Sequence, residues 1–519
     1  MQRGMILLYV SLMLMALSSA GQKARVMESL SMYSKILGGE IKYSVCLPAD
    51  YYKTNKKYPV VYALHGLGSN ESSWLEYGRI GRTADLAVAN RQIIPMIYIM
   101  PQAFSTYYVN DYASTYRYQD MFMQELIPYI DSVYRTQGGR ARAVIGISMG
   151  GFGALILPME RPDLFTACVP LSVSIRTDQQ YMTERSDEWN EKWGRLFGGV
   201  NTTGPARITD YYKKHSPMHM LADSDPARWK GLRIYIDNGD DEQTLAYGNE
   251  ELHYLLREKN IPHEYRVRNG GHEFGYWRDA LPNGLRFISD AMEGKPYRGD
   301  IELKGINRRK SRHSPLQSVI VGERSLQAYF PREYNIEQRL YPVIYIIGDL
   351  SPADQEHFSN VADRMMRNDE LPPFIMIFLP ETERDLENDI IPEVEKKYRV
   401  RPGFRNRSLF TTGKGAWALA YALTPERYTS CTVMEPSAEE GYFKKITEHT
   451  VAKKIERTWF FFGASDKTPD YRASGDLHLL FKDKNIYHEY RVMQRTDNDD
   501  WKTLFLEEAF RFAIKKMHR

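Results

Sequence analysis

Residues 142–157 read RAVIGISMGGFGALIL, and this stretch decides the fold of the chain. A run of β-branched and small residues leads up to Gly146, and a run of small and apolar residues follows Ser148. The first half is typical of a buried strand, and the second half is typical of the start of a helix. Glycines on both sides of Ser148 permit a sharp turn. The stretch therefore predicts a strand, a tight turn and a helix, with the Ser148 hydroxyl held out at the turn.

Strands and helices alternate along the rest of the chain. The short runs PVVYALHG, PMIYIMPQ and RIYIDNG have the composition of buried strands, and segments such as QDMFMQELIPYIDSVYR carry apolar residues at helical spacing. This alternation predicts an α/β fold with a mostly parallel sheet that helices cover on both faces. Functional sites in such sheets lie at the carboxyl ends of the strands.

The chain repeats itself once. Residues 57–69, KYPVVYALHGLGS, correspond to residues 340–352, LYPVIYIIGDLSP, and residues 260–272, NIPHEYRVRNGGH, correspond to residues 485–497, NIYHEYRVMQRTD. Because the matching segments keep the same order, we interpret them as a duplication into two tandem domains. The polar and aromatic segment 174–230 is largely missing from the second copy, so we expect it to form a cap in the first copy alone.

The N-terminus has the layout of a secretory signal peptide. Arg3 precedes an apolar stretch from Met5 to Leu17, and small residues allow cleavage after Ala20. We therefore expect an exported protein, periplasmic or extracellular, that is soluble after cleavage and has no membrane span. The expected segments are a signal peptide at 1–20, a first domain at 21–297, a linker at 298–316 and a second domain at 317–519.

Charge and cysteine content exclude several classes of protein. The formal net charge of +3 in 519 residues gives no reason to expect a nucleic acid or an anionic membrane as partner. The three cysteines, Cys46, Cys168 and Cys431, are too few for a disulfide scaffold and have no metal-site spacing. We expect them to be small buried residues, and we expect no metal and no cofactor.

Ser148 is a candidate nucleophile, and such a serine needs a base and an orienting carboxylate. His272 follows a predicted strand in a Gly-Gly turn and is the candidate base. The loop IDNGDDE, which ends another predicted strand, offers Asp240, Asp241 and Glu242 as the acid. The chain order of serine, acid and histidine is that of α/β-hydrolases.

Backbone N–H groups are expected to stabilise the oxyanion that forms when Ser148 attacks a carbonyl carbon. The candidates are the N–H of Met149, directly after the serine, and the N–H of Leu67 in the loop HGLG. Trp74, Tyr77 and Trp277 are candidates for stacking on a phenolic ring or a sugar, and core packing is the alternative for each.

The first copy resembles the esterase D family, which holds feruloyl esterases, S-formylglutathione hydrolases and mycolyltransferases. The resemblance rests on YPVVYALHGLGSNESSW, ELIPYID, GISMGGFGAL, IDNGDDE and HEYRVRNGGHEFGYW, which together span about residues 34–280. It implies two tandem α/β-hydrolase domains and a serine esterase that acts on feruloyl or acetyl esters of a plant polysaccharide such as xylan. The family acid stands three residues after the loop glycine, so we favour Glu242, with Asp241 as the alternative.

Two other functions stay open at this point. One is acyl transfer to a sugar or lipid, as in mycolyltransferases, and the other is glycan binding without catalysis.

The second copy has lost the reactive residues. Ser148 corresponds to Gly413, and Met149 to Lys414, within SLFTTGKGAWALAYAL at 408–423. The remaining correspondences are His65-Gly66 with Gly348-Asp349, Asp241 with Asp466 and His272 with Asp497. Because nucleophile and base are both replaced, we predict an inactive second domain with a structural or binding task.

Overall fold

A computed structural model describes residues 25–301 and 316–517, apart from residues 369, 440, 449, 466–470 and 494–500. The chain divides into two compact units, Met1–Asn307 with Ile336–Gln338, and Arg308–Asn335 with Arg339–Arg519. The division falls inside the segment expected to be a linker. The expected signal peptide, most of that linker, and Asp466 and Asp497 lie outside the described residues.

The first unit contains an eight-stranded sheet with the order β1-β2-β4-β3-β5-β6-β7-β8. Strands β1 and β2 pair antiparallel with their neighbours, and all other pairs are parallel. The strands are β1 Val26–Ser34, β2 Gly39–Cys46, β3 Val60–Leu64, β4 Ile97–Pro101, β5 Arg142–Ile147, β6 Ala167–Leu171, β7 Arg233–Gly239 and β8 His263–Arg268.

Helices cover both faces of this sheet. Along β5, Val144 belongs to the apolar core on one face, while Ala143 and Ile145 belong to the core on the other. This double burial explains why the strands are continuous apolar runs instead of alternating ones. The longer helices are Ile80–Ala89, Tyr118–Met121 continuing as Phe122–Leu126 and Ile127–Val133, Met149–Glu160, Gln243–Glu258 and Phe274–Met292, and a short one is Ser73–Glu76.

The segment expected to be a cap is a series of short helices. They are Asp178–Thr183, Ser186–Glu188, Trp189–Trp193, Gly194–Phe197, Gly204–Arg207, Asp210–Lys214, Pro217–Asp223 and Pro226–Trp229. Its aromatic residues pack on the helix that follows Ser148, since the rings of Phe197 and Phe152 lie 6.3 Å apart. The segment begins beside the serine, because the N–H of Ser174 donates to the carbonyl of Ser148 at 3.0 Å.

The second unit contains a second eight-stranded sheet whose strands follow the same order as those of the first. The strands are β9 Gln317–Val321, β10 Arg324–Tyr329, β11 Val343–Ile347, β12 Ile375–Leu379, β13 Arg407–Gly413, β14 Ser430–Pro436, β15 Trp459–Ser465 and β16 His488–Met493. Its helices are Pro352–Arg367, Leu386–Ile390 with Ile391–Lys397, Leu419–Ala422, Tyr442–Thr447, Tyr471–Asp483 and Trp501–Met517, with short turns at Arg332–Asn335, Phe404–Asn406, Lys414–Ala418 and Ala452–Ile455. The predicted pair of mostly parallel α/β domains is confirmed.

Two further expectations concern the whole described chain. Cys46, Cys168 and Cys431 are all buried, as predicted. Among the described residues, no helix combines the length and the apolar character needed to cross a membrane.

Candidate active site

Ser148 occupies a strained turn between β5 and the helix Met149–Glu160. Its backbone angles, φ 55° and ψ −117°, are rare for a residue with a side chain, and such strain is typical of functional sites. The helix that follows approaches β3 closely, because a Cβ on Gly150 would lie 2.3 Å from the carbonyl oxygen of Leu64. The turn is therefore as sharp as the sequence predicts.

His272 lies in the loop after β8, and its Nε2 is 2.8 Å from the Oγ of Ser148. The loops after β7 and β8 must approach each other closely for this contact. A Cβ on Gly239 would lie 2.1 Å from the carbonyl oxygen of Gly270, so only glycine fits there. The His272 side chain is 41% exposed, so water can reach the contact between Ser148 and His272.

Glu242 is the carboxylate that the structure places against His272. Its Oε1 lies 3.4 Å from the Nδ1 of His272, and its side chain is only 1% exposed. Asp241 is exposed, and its backbone N–H donates to the carbonyl of Gly270 at 3.0 Å. The carboxylate of Asp240 accepts the N–H of Gly270 at 3.0 Å. Both aspartates thus tie the two loops together, while Glu242 faces the histidine.

Ser172 is a site residue that the sequence analysis missed. It directly follows β6, and its hydroxyl donates to Oε1 of Glu242. The same Ser172 oxygen accepts the indole N–H of Trp277 at 2.7 Å. Its position at the carboxyl end of a central parallel strand is a signal that could have marked it.

The loop after β3 passes beside Ser148, since a Cβ on Gly66 would lie 3.4 Å from the Cβ of Ser148. His65 fixes this loop. Its Nε2 accepts the N–H of Ala103 at 2.9 Å, so its Nδ1–H donates to the carbonyl of Gly66 at 2.8 Å. The Tyr108 hydroxyl donates to the carbonyl of His65 at 3.0 Å. Burial lowers the pKa of His65, which keeps the ring in the neutral form that these bonds need.

One expected oxyanion donor belongs to the residue directly after the serine, and the other to the loop after β3. Met149 is the first residue of its helix, so its N–H has no acceptor within that helix. Leu67 follows Gly66 and is 48% exposed. Their role in binding an oxyanion stays a prediction.

The three aromatic candidates pack around Phe274. Trp74 is fully buried, and its indole N–H donates to the carbonyl of Leu64 at 2.8 Å. Trp277 is 6% exposed and meets the ring of His272 edge-on at 5.1 Å. Tyr77 is half-buried with its ring 5.1 Å from that of Phe274, which also contacts Trp277. The structure thus favours the packing interpretation for the two tryptophans, because neither presents a face to solvent.

The second unit keeps the turn without the serine. Gly413 has φ 55° and ψ −130°, close to the angles of Ser148, and a Cβ built on it would meet no atom within 4 Å. The helix after the turn differs from that of the first unit, because it starts as a 3₁₀ turn at Lys414–Ala418 and ends at Ala422. Pro425 explains the early end, since a residue before proline avoids the helical conformation.

The strand order of the first unit and the serine at the turn after β5 define an α/β-hydrolase. Residues 34–288 match the family described as putative esterase.

Several known proteins are similar to this chain. An endo-1,4-beta-xylanase/feruloyl esterase of Xylanibacter ruminicola is 31% identical over 150 residues, which cover 27% of this chain and 20% of the relative. An acetyl esterase of Caldicellulosiruptor saccharolyticus is 24% identical over 280 residues, covering 51% of this chain and 98% of the relative. A solved ferulic acid esterase structure has 28% identity and a TM-score of 0.46, covering 52% of this chain and 99% of that one. The alignments with the first three curated relatives span 20% to 52% of those relatives' lengths.

Proposed function

We propose that the first unit is a serine carboxylesterase that works through an acyl-enzyme on Ser148. The observation that carries this proposal is the 2.8 Å contact between Ser148 Oγ and His272 Nε2, with buried Glu242 on the other nitrogen of the ring. Nucleophile, base and carboxylate in this geometry perform acyl transfer on several unrelated folds.

The geometry suggests the order of proton transfers. His272 accepts the Ser148 proton as Oγ attacks the ester carbonyl, and Glu242 stabilises the imidazolium that forms. The oxyanion of the tetrahedral intermediate would accept the N–H groups of Met149 and Leu67. His272 then protonates the departing alkoxide, and a water molecule, deprotonated by the same ring, hydrolyses the acyl-enzyme.

The proposed substrates are feruloyl or acetyl esters on plant cell-wall polysaccharide such as xylan. The relatives that combine feruloyl esterase with xylanase, or that cleave acetyl esters, support this choice. The signal-like N-terminus supports an exported enzyme, because polysaccharide lies outside the cell. We further propose that residues 21–297 form the catalytic domain, residues 298–316 the linker and residues 317–519 an inactive domain.

Hydrolysis of p-nitrophenyl acetate by the full chain and by Ser148→Ala tests the activity. We expect the variant to lose nearly all turnover without a change in melting temperature, and equal rates in both proteins would refute the proposal. Mass spectrometry of acids released from feruloylated and acetylated xylan identifies the acyl group. Product that depends on an added acceptor alcohol would favour the transferase alternative, and glycan binding without turnover would favour the non-enzymatic one.

A further inference from the structure

Glu242 has a second partner besides His272, and both bind the same oxygen. Oε1 accepts the Ser172 hydroxyl and lies 3.4 Å from His272 Nδ1, while the buried Oε2 has no hydrogen-bond partner among the described residues. A buried carboxylate must be hydrogen-bonded to remain charged at modest cost. The Ser172 hydroxyl therefore supports the charge on Glu242 and also fixes which oxygen faces the histidine.

Trp277 contacts this arrangement at two points. Its indole N–H donates to the Ser172 oxygen at 2.7 Å, and its ring edge-on contact with His272 has a centroid distance of 5.1 Å. Because the indole N–H occupies one acceptor position of the Ser172 oxygen, it orients the serine proton towards Glu242. The Trp277 side chain thus holds the Ser172 hydroxyl, which donates to Glu242, and also packs against the ring of His272.

The backbone of Ser172 is strained. Its φ of 47° is in the region that favours glycine, and its N–H donates to the carbonyl of Asp237 at 2.9 Å. Strain of this kind costs about 1–3 kcal/mol and is held by the surrounding structure. The strain fixes the direction in which the Ser172 side chain leaves the end of β6.

The second unit provides an internal comparison. Cys168 corresponds to Cys431, so Ser172 corresponds to Glu435, whose φ of 43° shows that the same backbone conformation persists. Its contact differs from that of Ser172, because Glu435 accepts the N–H of Ser465 at 3.1 Å.

The partner of the serine is also replaced in the second unit. The offset of the HEYRV repeat pairs Trp277 with Lys502, and Lys502 forms an ion pair with Asp354 at 2.8 Å. The unit that lacks the nucleophile therefore keeps the fold and the strained backbone but loses both members of the pair. If Ser172 and Trp277 were needed for folding alone, we would expect the second unit, which keeps the fold, to retain them.

We propose that Ser172 and Trp277 are positioning residues for the reaction at Ser148, which hold Glu242 against His272. The proposal rests on the proposed esterase function. The Ser172 hydroxyl donates to Glu242 and the Trp277 indole N–H donates to the Ser172 oxygen, so the pair acts on kcat through the alignment of the base. The Trp277 N–H acts through the Ser172 oxygen, so the effect on kcat of removing the N–H depends on the presence of the Ser172 hydroxyl.

Kinetics with p-nitrophenyl acetate on the full chain test the proposal. Ser172→Gly removes the hydroxyl and suits the strained backbone, and we expect a loss in kcat of about 10- to 100-fold, as for a hydrogen bond to a charged group. Trp277→Phe keeps a ring but removes the N–H, and we expect a loss of about 2- to 10-fold, as for a neutral hydrogen bond. KM should stay within about twofold in both variants, because uniform binding of the substrate is untouched.

The double variant and two matched controls complete the design. The double variant should lose no more than Ser172→Gly alone, because Trp277→Phe keeps a ring beside His272 and removes only the N–H that acts through the serine oxygen. Ser289→Ala removes another buried serine, which accepts the N–H of Ile94 at 2.9 Å, and Trp229→Phe removes another buried indole, which donates to the carbonyl of Met159 at 3.0 Å. Both controls should retain the kcat of the parent protein.

Losses equal to those of the controls, or losses that add fully in the double variant, would overturn the proposal. Melting temperatures of all variants separate misfolding from misalignment, since Ser172→Gly relieves strain while removing the hydroxyl. A parent protein with no turnover that depends on Ser148 would refute the proposed function instead. An active parent with a fully active Ser172→Gly variant would refute the positioning role alone.

Discussion

Replacing Glu242 by Gln separates the two candidate acids, because the substitution keeps the size of the side chain and removes its charge. In the proposed mechanism His272 carries a positive charge in the transition state, and Glu242 lies 3.4 Å from its Nδ1. Two unit charges about 4 Å apart interact by about 4 kcal/mol at an effective dielectric constant of about 20. We therefore expect Glu242→Gln to lower kcat by about a thousandfold.

Asp241→Asn is the matched control, since it also removes one charge from the same loop. Asp241 is exposed and holds the loop through its backbone N–H, which the substitution keeps. We expect it to change kcat less than about threefold, as for an exposed charge that is screened by water. Initial rates with p-nitrophenyl acetate at saturating substrate measure both variants.

The opposite ranking would refute this reasoning. If Asp241→Asn lost more activity than Glu242→Gln, the orienting acid would be Asp241, and the observed contact between Glu242 and His272 would not be the catalytic one. A small effect of Glu242→Gln together with a large effect of Ser148→Ala would show that His272 needs no carboxylate. Melting curves must accompany the rates, because removal of a buried charge can itself raise stability.

Three further predictions concern stability. Gly413→Ser should lower the free energy of unfolding by about 1–3 kcal/mol, which is the cost of a side chain in strained backbone. No steric clash adds to this cost, because a Cβ on Gly413 would meet no atom within 4 Å. The variant should restore no esterase activity in a Ser148→Ala background, and turnover in that double variant would contradict the inactive second unit. Gly150→Ala should lower the melting temperature more than Gly413→Ser, because its Cβ would lie 2.3 Å from a carbonyl oxygen, and an equal or smaller drop by calorimetry would contradict this. Burial lowers the pKa of His263 and of His488, so the unfolded chain binds more protons, and the free energy of unfolding should fall as the pH drops below about 6.5. Urea unfolding at several pH values measures the slope of this free energy against pH for the parent and for the double variant His263→Gln with His488→Gln. Equal slopes in the two proteins would contradict the assignment.

The strands, the turn and the position of His272 beside Ser148 were predictable because each has a local signal. The apolar runs of β3, β4, β5 and β7 are unbroken because both faces of the sheet are covered, and the Gly-x-Ser-x-Gly pattern marks the turn at Ser148. His272 was identified by its place after the last strand. These signals depend on a few neighbouring residues, so they can be recognised in the sequence without knowledge of the packing.

The acid and the aromatic residues were not decided by local signals. Three acidic residues stand in a row after Gly239, and only the approach of two loops determines that Glu242 faces His272. Trp74 is buried with its indole N–H bound to the carbonyl of Leu64, ten positions away in the sequence, and no local pattern indicates this contact. Ser172 was missed because serines at strand ends are common, and its role depends on Glu242 and Trp277, which are distant in the chain.

The persistence of the turn at Gly413 follows from the sheet and not from the chemistry. In both units the chain leaves a central strand and must pass the end of its neighbour, so a Cβ on Gly150 would lie 2.3 Å from the Leu64 carbonyl oxygen and a Cβ on Gly415 would lie 2.4 Å from that of Ile347. That approach is a requirement of the strand order, which both units share. Because the backbone is set by the fold, replacement of the single side chain at the apex is enough to remove the serine hydroxyl while the strained turn remains.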